Sequence, residues 1–262
     1  MIRVYKIGGP ALEDPALVPP LAAEVKRGNG RAVIVHGGGR AIERMLKALA
    51  IESRFVEGRR VTSPEAMDVV EMVLSGLANK ALAAGLTAAG VKAIGISGRD
   101  AGMLQARLEP SLGRVGLPEH VDVAPIQALW QGGFLPVVSP VAAGPAGEAV
   151  NVNADEAALG IARGVSATTL VYLSDVDGVR IGERTAETLV PDEARARIDD
   201  GTITGGMALK GRVALAASAA GIPEVVIAGR ARLEGRFPGT GIRTSTASFA
   251  NAGPARAQEE KK

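Results

Sequence analysis

Four strand-like runs of the sequence end in glycine or in a small polar cluster, and chemistry is most plausible at these junctions. They are "YKIGGPA" (5–11), "VHGGGRA" (35–41), "ISGRDAG" (96–102) and "LSDVDGV" (173–179). Glycine lets a backbone approach an anion closely, and a following helix offers free N–H groups and the positive end of its dipole. Together the junctions favour a phosphate or carboxylate cleft, although each alone also fits a strand-to-helix turn.

The triple glycine matches neither common nucleotide motif. No Lys-Ser/Thr pair follows it as in a Walker A loop, and Ile42 occupies the place of the third glycine in the dinucleotide fingerprint. The chain has no cysteine and only two histidines, His36 and His120, which excludes a thiol nucleophile and a cysteine- or histidine-rich metal site. His36 has no partner spaced for a catalytic triad, so we expect a structural hydrogen bond there.

Charged residues near the junctions suit work on anions. Lys6 ends a strand that reads as buried, so its ammonium should face a polar cleft. Lys210 lies just inside a helix after a glycine turn, where it equally fits a solvated helix lysine. In "NVNADEAA", Asn151, Asn153 and Asp155 alternate along the entry to a helix, and Asn153 also fits an N-cap.

Two adjacent arginines, Arg59 and Arg60, lie in "EGRRVTSPE" ahead of a helix. A guanidinium is suited to bidentate capture of a carboxylate. The other interpretation is a pair of solvated arginines.

Apolar β-branched runs alternate with segments of helical period, which predicts an α/β fold on a mostly parallel sheet. The candidate strands are "IRVYKI", "AVIVH", "KAIGIS", "LPVVS", "TTLVYLS" and "EVVIA". The candidate helices are 15–28, 40–50, 64–89, 125–132, 154–164, 191–199 and 208–220. Residues 103–124 interrupt this rhythm and predict inserted hairpins.

Composition bounds the partners and the location. The 262 residues include 30 Lys and Arg against 28 Asp and Glu, and aromatic residues make up 3%, which argues against a nucleic-acid partner. The first residues lack a signal-like apolar region, and every apolar run is shorter than the roughly 20 residues of a membrane span. We expect a soluble, cytoplasmic protein with no membrane partner.

Ten segments, in order, resemble the amino acid kinase family: "KIGG", "VHGGG", "GRRVTSPE", "SGLANK", "ISGRDAG", "LGRVG", "LPVVSPV", "NVNADEAA", "LSDVDGV" and "GGMALK". The likeness runs from about residue 2 to 244 and is greatest to the members that phosphorylate N-acetyl-L-glutamate in arginine biosynthesis. It implies a three-layer αβα sandwich in two lobes. Residues 1–165 would bind the acyl amino acid and dimerise, residues 166–246 would bind ATP, and residues 247–262 would form a flexible tail.

The resemblance also implies residue roles. Lys6 and Lys210 resemble the lysines that stabilise the migrating phosphoryl group, and Asp155 resembles the carboxylate that orients both. The glycines whose N–H groups would face that phosphate are Gly9, Gly38 and Gly39. The residues that would hold the acyl amino acid are Gly38, Gly39, Arg60, Asn151 and Asn153. The residues that would surround the nucleotide are Lys6, Gly8, Gly9, Ser174, Asp175, Gly178, Gly206, Met207 and Lys210.

The implied reaction is ATP-dependent phosphorylation of the γ-carboxylate of N-acetyl-L-glutamate, with Mg²⁺ bound through the nucleotide phosphates and no protein metal site. One alternative is a kinase of the same fold acting on glutamate or aminoadipate attached to a small acidic carrier protein. Another is a non-catalytic nucleotide or amino-acid sensor. The intact "NVNAD" and "GRRVT" favour the free substrate, and the trio Lys6, Asp155 and Lys210 argues against a sensor.

Two departures from the family pattern stand out. The aspartate-glycine that the family pattern has in the third junction is Asp100-Ala101 here. The first strand begins at Ile2, whereas arginine-inhibited members carry an additional helix that builds a hexamer. We therefore expect a homodimer without arginine feedback.

Overall fold

A computed structural model describes residues 1–28, 31–56, 58–182 and 184–243. Its strands are β1 (Ile2–Ile7), β2 (Arg31–His36), β3 (Arg54–Val56), β4 (Arg59–Val61), β5 (Ala93–Ser97), β6 (Leu104–Leu108), β7 (Val115–Val121), β8 (Leu135–Ser139), β9 (Val141–Ala143), β10 (Ala149–Val152), β11 (Thr169–Leu173), β12 (Arg180–Ile181), β13 (Arg184–Thr185), β14 (Thr188–Leu189), β15 (Glu224–Ala228) and β16 (Thr240–Ile242). The expected tail, 247–262, lies outside the described residues.

The α-helices are α1 (Gly9–Leu12), α2 (Val18–Arg27), α3 (Gly39–Ala48), α4 (Pro64–Glu71), α5 (Asn79–Ala88), α6 (Ala124–Gln131), α7 (Ala154–Gly164), α8 (Pro191–Asp199), α9 (Gly205–Ala219) and α10 (Arg230–Leu233). Short 3₁₀ turns cover Pro15–Leu17, Asp100–Gly102 and Pro110–Leu112, and a π-helical segment covers Met72–Ala78. All seven helical segments predicted from periodicity are confirmed, with α9 beginning three residues earlier than expected.

The main sheet of the described chain has the strand order β14-β16-β15-β11-β1-β2-β8-β5. From β15 to β5 every neighbouring pair is parallel, whereas β16 runs antiparallel to β15 and β14 is parallel to β16. The six parallel strands are those predicted from the apolar runs, because a strand buried on both faces reads as a continuous apolar sequence. The mostly parallel α/β sheet is thereby confirmed.

Helices cover both faces of this sheet, which makes the three-layer sandwich. Alternate side chains of β1 enter different cores: Val4 packs with α7 and α9 residues, and Tyr5 and Ile7 pack with α2 and α5 residues. Successive strand residues point to opposite faces. Lys6 therefore leaves the sheet on the same face as Val4, toward α7.

The segment that interrupts the α/β rhythm forms its own small β-structure. Strands β6 and β7 pair antiparallel, as predicted for 103–124, and close with β9 and β10 into a four-stranded barrel. Strand β10 then leads directly into α7, whose N-cap is Asn153: its side chain accepts a hydrogen bond from the Asp155 N–H at 2.8 Å. The barrel thus fixes where α7 begins.

The departure at Asp100-Ala101 falls in the turn after β5. Ala101 has φ of 53°, a left-handed conformation that glycine adopts without steric cost. The Asp100 carboxylate holds the turn by accepting hydrogen bonds from the Ser97 N–H at 2.8 Å and the Ser97 hydroxyl at 3.0 Å. Side-chain hydrogen bonds therefore support a backbone conformation that alanine alone disfavours.

Helix α4, the π-helical segment and α5 form one continuous helix, Pro64–Ala88, called the long helix below. Ser63 caps it by accepting a hydrogen bond from the Ala66 N–H. By length and composition alone this one described helix could cross a bilayer, and 44% of its most apolar stretch is buried inside the protein. The sequence argument counted only uninterrupted apolar runs and did not anticipate it. Core helices of soluble proteins pass the same test.

His36, at the end of β2, is fully buried between the sheet and the long helix. Its Nδ1 lies 2.8 Å from the Gly37 carbonyl oxygen, and its Nε2 lies 3.1 Å from Asn79 Nδ2. A carbonyl only accepts, so Nδ1 carries the proton and Nε2 accepts from the amide. Burial lowers the pKa of His36 to about 4. The expected structural hydrogen bond is confirmed, and the imidazole is neutral.

This neutral imidazole predicts acid sensitivity of folding. Below pH 6.5 an unfolded chain protonates His36, but the folded chain does not until about pH 4. The unfolded state then binds more protons, so the free energy of unfolding falls as pH drops through this window. Between pH 7 and pH 4 this loss of unfolding free energy amounts to about 3 kcal/mol, at roughly 1.4 kcal/mol per pKa unit. We expect it to be absent in His36→Gln. Urea unfolding at intervals between pH 7 and pH 4 measures it.

The matched control is His120→Gln, because His120 is exposed on β7. This variant should keep the pH dependence of the unmodified protein. If the His36→Gln curve ran parallel to that of the unmodified protein across the window, a buried neutral His36 would be contradicted.

Candidate active site

Two cavities meet where β1 and β11 end. The first has a volume of about 220 Å³ and is lined by Lys6, Gly9, Gly37, Gly38, Gly39, Ile42, Phe55, Gly58, Arg59, Arg60, Leu74, Val115, Pro140, Asn151, Val152, Asn153, Ala154 and Asp155. The second, of about 340 Å³, is lined by Lys6, Gly8, Gly9, Pro10, Asp155, Tyr172, Leu173, Ser174, Asp175, Lys210 and Val213. Lys6, Gly9 and Asp155 belong to both and form the border between them.

This position follows from the sheet topology. After β1 the chain builds the sheet in one direction through β2, and later it returns to the other side of β1 as β11. Ligands of open α/β sheets bind at such a switch point, beyond the carboxyl ends of the strands. The predicted cleft thus lies at one end of β1 and β11.

An ion pair occupies the border. Lys6 Nζ lies 2.7 Å from Asp155 Oδ1, and the two side chains are 15% and 28% exposed. Asp155 stands in the first turn of α7, where the helix dipole favours a negative charge. The pair gives the ammonium at the end of a buried strand an anionic partner and joins the sheet to α7.

Lys210 is held by a different carboxylate than the sequence suggested. Its Nζ lies 3.0 Å from Asp175 Oδ1, which also accepts a hydrogen bond from the Ser174 hydroxyl at 2.7 Å. These two contacts, that from Ser174 first, lower the pKa of Asp175 to about 2, so it is an anion throughout the physiological range. In this structure Asp155 therefore pairs with Lys6, and Asp175 pairs with Lys210.

The glycine loops divide into turn-forming and free N–H groups. Gly8 N–H donates to the Leu173 carbonyl at 3.0 Å and Gly37 N–H donates to the Ile7 carbonyl at 2.9 Å, so both serve the turns. The N–H groups of the other three glycines have no acceptor among the described residues; these are Gly9, Gly38 and Gly39. Free backbone donors at helix starts beside an ammonium suit anionic oxygens.

The two loops touch each other and the long helix. A Cβ added at Gly9 would lie 3.7 Å from the Gly39 nitrogen, which shows how closely the loops approach. A Cβ at Gly38 would lie 2.7 Å from Leu74 Cδ2, in the π-helical segment. Any larger residue at position 38 would have to displace Leu74, so this loop rests directly on the long helix.

Both predicted arginines line the first cavity, and neither is a freely solvated side chain. Arg60 is 6% exposed; its Nη1 donates to Glu43 at 2.6 Å and to Ser53, and its guanidinium stacks on Phe55 at 4.5 Å. Arg59 Nη2 contacts Glu156 Oε1 at 2.5 Å. The sequence contained no signal for Glu43, which lies 17 residues before Arg60 on a separate helix.

The asparagines have local partners and also face the first cavity. Asn151 Nδ2 donates to Thr62 Oγ1 at 3.1 Å, which links β10 to the residue after β4. Asn153 caps α7, so the N-cap interpretation is confirmed while its place in the cavity is kept.

Gly178 and Met207, both expected near the nucleotide, pack against other parts of the protein. A Cβ at Gly178 would lie 2.5 Å from Thr240 Oγ1, so Gly178 is packed against β16. Met207 packs on the main core from the first turn of α9. Gly206 belongs to the same turn. Ser174 and Asp175 do line the second cavity.

One cavity residue, Tyr172, was not anticipated. It is 5% exposed in β11, and its hydroxyl has no hydrogen-bond partner among the described residues. Burial, and secondly the charge of Asp155, raise the pKa of Tyr172, so the phenol stays protonated. The available signal was a hydroxyl inside the otherwise apolar run "TTLVYLS".

The donor set around the border suits a polyanion. Two ammonium groups and three free N–H groups converge there, and the described residues contain no cluster of three or more His, Cys, Asp or Glu side chains that could hold a metal ion.

Known proteins with related sequences show the family of this chain. The chain matches the model of the amino acid kinase family over residues 1–229. It is 42% identical to an acetylglutamate kinase of Rubrobacter xylanophilus, over 92% of this chain and 95% of that protein. It is 40% identical to an acetylglutamate kinase of Bacillus velezensis, over 86% and 88% of the two chains.

Solved structures agree on the fold. The protein smu.665 of Streptococcus mutans superposes with a TM-score of 0.80 at 26% identity, covering 93% of this chain and 99% of that one. Carbamate kinase of Giardia lamblia, solved with AMP-PNP, superposes with a TM-score of 0.68 at 17% identity, covering 93% and 98%. From its motifs, its sheet and these likenesses, the chain belongs to the amino acid kinase family.

Proposed function

We propose that the protein transfers the γ-phosphoryl group of ATP to the γ-carboxylate of N-acetyl-L-glutamate, giving N-acetyl-L-glutamyl 5-phosphate and ADP. The observation that carries this proposal is the meeting of two cavities at Lys6, Gly9 and Asp155. Such a border lets two anionic ligands react directly. Relatives about 40% identical over about 90% of the chain are acetylglutamate kinases, which supports this substrate.

The first cavity would take N-acetyl-L-glutamate. Its positive end is formed by Arg59 and Arg60, and Asn151 and Asn153 add polar groups beside them. The α-carboxylate would bind at Arg60, which would then share its guanidinium between that ligand and Glu43. The γ-carboxylate would reach toward Gly38 and Gly39, beside Lys6.

The second cavity would take the ATP phosphates with their divalent metal ion, which we propose is Mg²⁺. Lys210, Ser174 and Asp175 stand on its wall. Bound Mg²⁺ would neutralise phosphate charge, and the carboxylates near enough to assist through water are Asp155 and Asp175. Gly178, Gly206 and Met207 would complete the surroundings of the nucleotide, as the family resemblance implies.

The reaction needs stabilisation of negative charge more than it needs proton transfer. A free γ-carboxylate, with an ordinary pKa near ~4.3, is already ionised at neutral pH and needs no general base. It must approach another polyanion in line, and negative charge spreads over the equatorial oxygens of the phosphoryl group. Lys6 and Lys210 would stabilise that charge from the two cavities, while the N–H groups of Gly9, Gly38 and Gly39 fix its position.

The two lobes would share this work. The strands β1, β2, β8 and β5 lie on one side of the border and belong to residues 1–165, whereas β11, β15, β16 and β14 lie on the other side. We propose that the first lobe holds the acyl amino acid and the second, 166–246, holds ATP.

The first test is a coupled assay of ADP release with N-acetylglutamate, glutamate, aspartate, acetylaminoadipate and carbamate. We expect turnover with N-acetylglutamate at a kcat/KM far above that of the others, because the first cavity offers cations for two carboxylates. Absence of turnover with N-acetylglutamate would overturn the assignment. Preference for a carrier-linked acidic substrate would favour the rival kinase, and nucleotide binding without any turnover would favour a sensor.

The second prediction concerns the lysines. Lys6→Ala and Lys210→Ala should each lower kcat by about 10²- to 10³-fold, because each removes a preorganised charge at the transferring group. Calorimetric affinity for N-acetylglutamate should change much less. Lys47→Ala, at an exposed position of α3, is the matched control and should leave kcat unchanged. Small and equal effects on kcat in all three variants would show that neither Lys6 nor Lys210 acts on the transferring group.

The third prediction concerns assembly, since we propose a cytoplasmic homodimer. Met72 and Leu77 are 57% and 61% exposed on the long helix, which packs on the edge strand β5. Two copies meeting there would bury this apolar surface. Light scattering should give twice the chain mass of 26.7 kDa.

Substituting glutamate for both Met72 and Leu77 should yield monomers in the same measurement. Leu49→Glu, which alters a 52% exposed leucine directly after α3, should leave the dimer intact. A monomeric or hexameric unmodified protein would contradict the proposed assembly.

A further inference from the structure

The Tyr172 hydroxyl has no role in holding the described fold. It is buried, and no described residue accepts or donates a hydrogen bond to it. A buried hydroxyl without a partner loses its hydration and gains nothing in return, a cost that phenylalanine at the same place would avoid. The hydroxyl therefore points to a use that arises when ligands bind.

Tyr172 stands beside the ion pair at the border. Strands β1 and β11 are parallel, and Lys6 lies directly opposite Tyr172 in their register. Both side chains leave the same face of the sheet, about 5 Å apart. On that face Lys6 Nζ contacts Asp155 Oδ1 at 2.7 Å, and all three residues line the second cavity.

The same ammonium is needed in two places. Lys6 Nζ is bonded to Asp155, but phosphoryl transfer across the border requires it on phosphate oxygens. An ammonium has three N–H donors, so Lys6 can contact phosphate and Asp155 together. The carboxylate then shares the charge of Lys6 with the phosphate and has acceptor positions left for a second donor. We propose, on the basis of the function proposed above, that the Tyr172 hydroxyl donates a hydrogen bond to Asp155 when Lys6 also contacts the phosphoryl group. Tyr172 is then a positioning residue for Lys6.

The chemistry of the two groups matches this role. An ionised carboxylate only accepts hydrogen bonds, and a protonated phenol can donate one. Burial keeps the Tyr172 pKa well above its ordinary value. The donor is thus present at every pH at which the protein works. It adds no charge that would compete with the phosphates for Lys6.

The chain supplies its own matched control in Tyr5, the second of its two tyrosines. Tyr5 is 1% exposed on the opposite face of the sheet, and its hydroxyl donates to Glu24 Oε1 at 3.1 Å. Both tyrosines are buried in the central sheet, but only Tyr5 has its hydrogen bond already made. Removing each hydroxyl should therefore have opposite consequences.

The experiment compares Tyr172→Phe with Tyr5→Phe in the full chain. We expect Tyr172→Phe to keep or raise the denaturation midpoint without ligands, and to lower kcat roughly tenfold, the effect of one hydrogen bond to a charged group. Its KM values should stay within about twofold of those of the unmodified protein. Tyr5→Phe should lower the denaturation midpoint and leave kcat unchanged.

A double variant tests whether the hydroxyl acts through Asp155. In single turnovers with Asp155→Asn, adding Tyr172→Phe should change the rate little, because the charged acceptor is already gone. A further tenfold loss would show that the hydroxyl contacts the ligand directly and would overturn the proposal.

Two other results would overturn it as well: an unchanged kcat in Tyr172→Phe, or a loss of ligand-free stability as large as that of Tyr5→Phe. Turnover by the unmodified protein separates the two levels of inference. An active protein with an indifferent Tyr172→Phe contradicts only the role of Tyr172. An unmodified protein without turnover contradicts the proposed function and this role with it.

Discussion

The ion pair between Lys6 and Asp155 is the contact on which the rest of the site depends. A lysine at the end of a strand buried on both faces is costly unless a partner compensates its charge. Asp155 supplies that partner from the first turn of α7, where Asn153 caps the helix and the dipole favours an anion. Moving α7 by a fraction of a turn would leave both charges unpaired. Strand β10 and its small barrel determine where α7 begins. The ion pair at the border between the two cavities therefore depends on where they lie.

Much of this arrangement can be predicted from the sequence because burial leaves a strong pattern. The six parallel strands are continuous apolar runs, and the four glycine junctions follow the ends of four of them. Strands β14 and β16 escaped prediction because "TL" and "TGI" are too short to show a period. Lys6, Asp155 and the glycines of the two loops come together as expected.

The contacts that were missed are those between elements distant in the chain. Nothing in the order of residues shows that Glu43 reaches Arg60, or that Asp175 takes Lys210 while Asp155 keeps Lys6. Gly178 matched a family segment, yet its place against Thr240 depends on how the last strand returns to the sheet. Such pairings are decided by packing, which a local pattern does not encode. Tyr172 was overlooked for the opposite reason, since an apolar strand conceals one hydroxyl.

In a site of this kind, no protein group has to take up or release a proton during the proposed reaction. The one histidine near the loops is buried and neutral, and its ring is committed to Gly37 and Asn79. The groups at the border are cations, an anion and backbone N–H donors. Rate in such a site depends on how well distances are kept between loops from separate strands.

The distances between the glycine loops also depend on Leu74, which a Cβ at position 38 would meet at 2.7 Å. Leu74 belongs to the π-helical segment of the long helix, and the same segment presents Met72 to the outside. One helix therefore approaches the triple-glycine loop on its inner side and exposes Met72 to solvent on its outer side. A shift of the helix by a few tenths of an ångström, from whichever side it arises, alters the space available to Gly38. A molecule that bound to the outer side of this helix would act on the glycine loop through the space that Leu74 leaves at position 38.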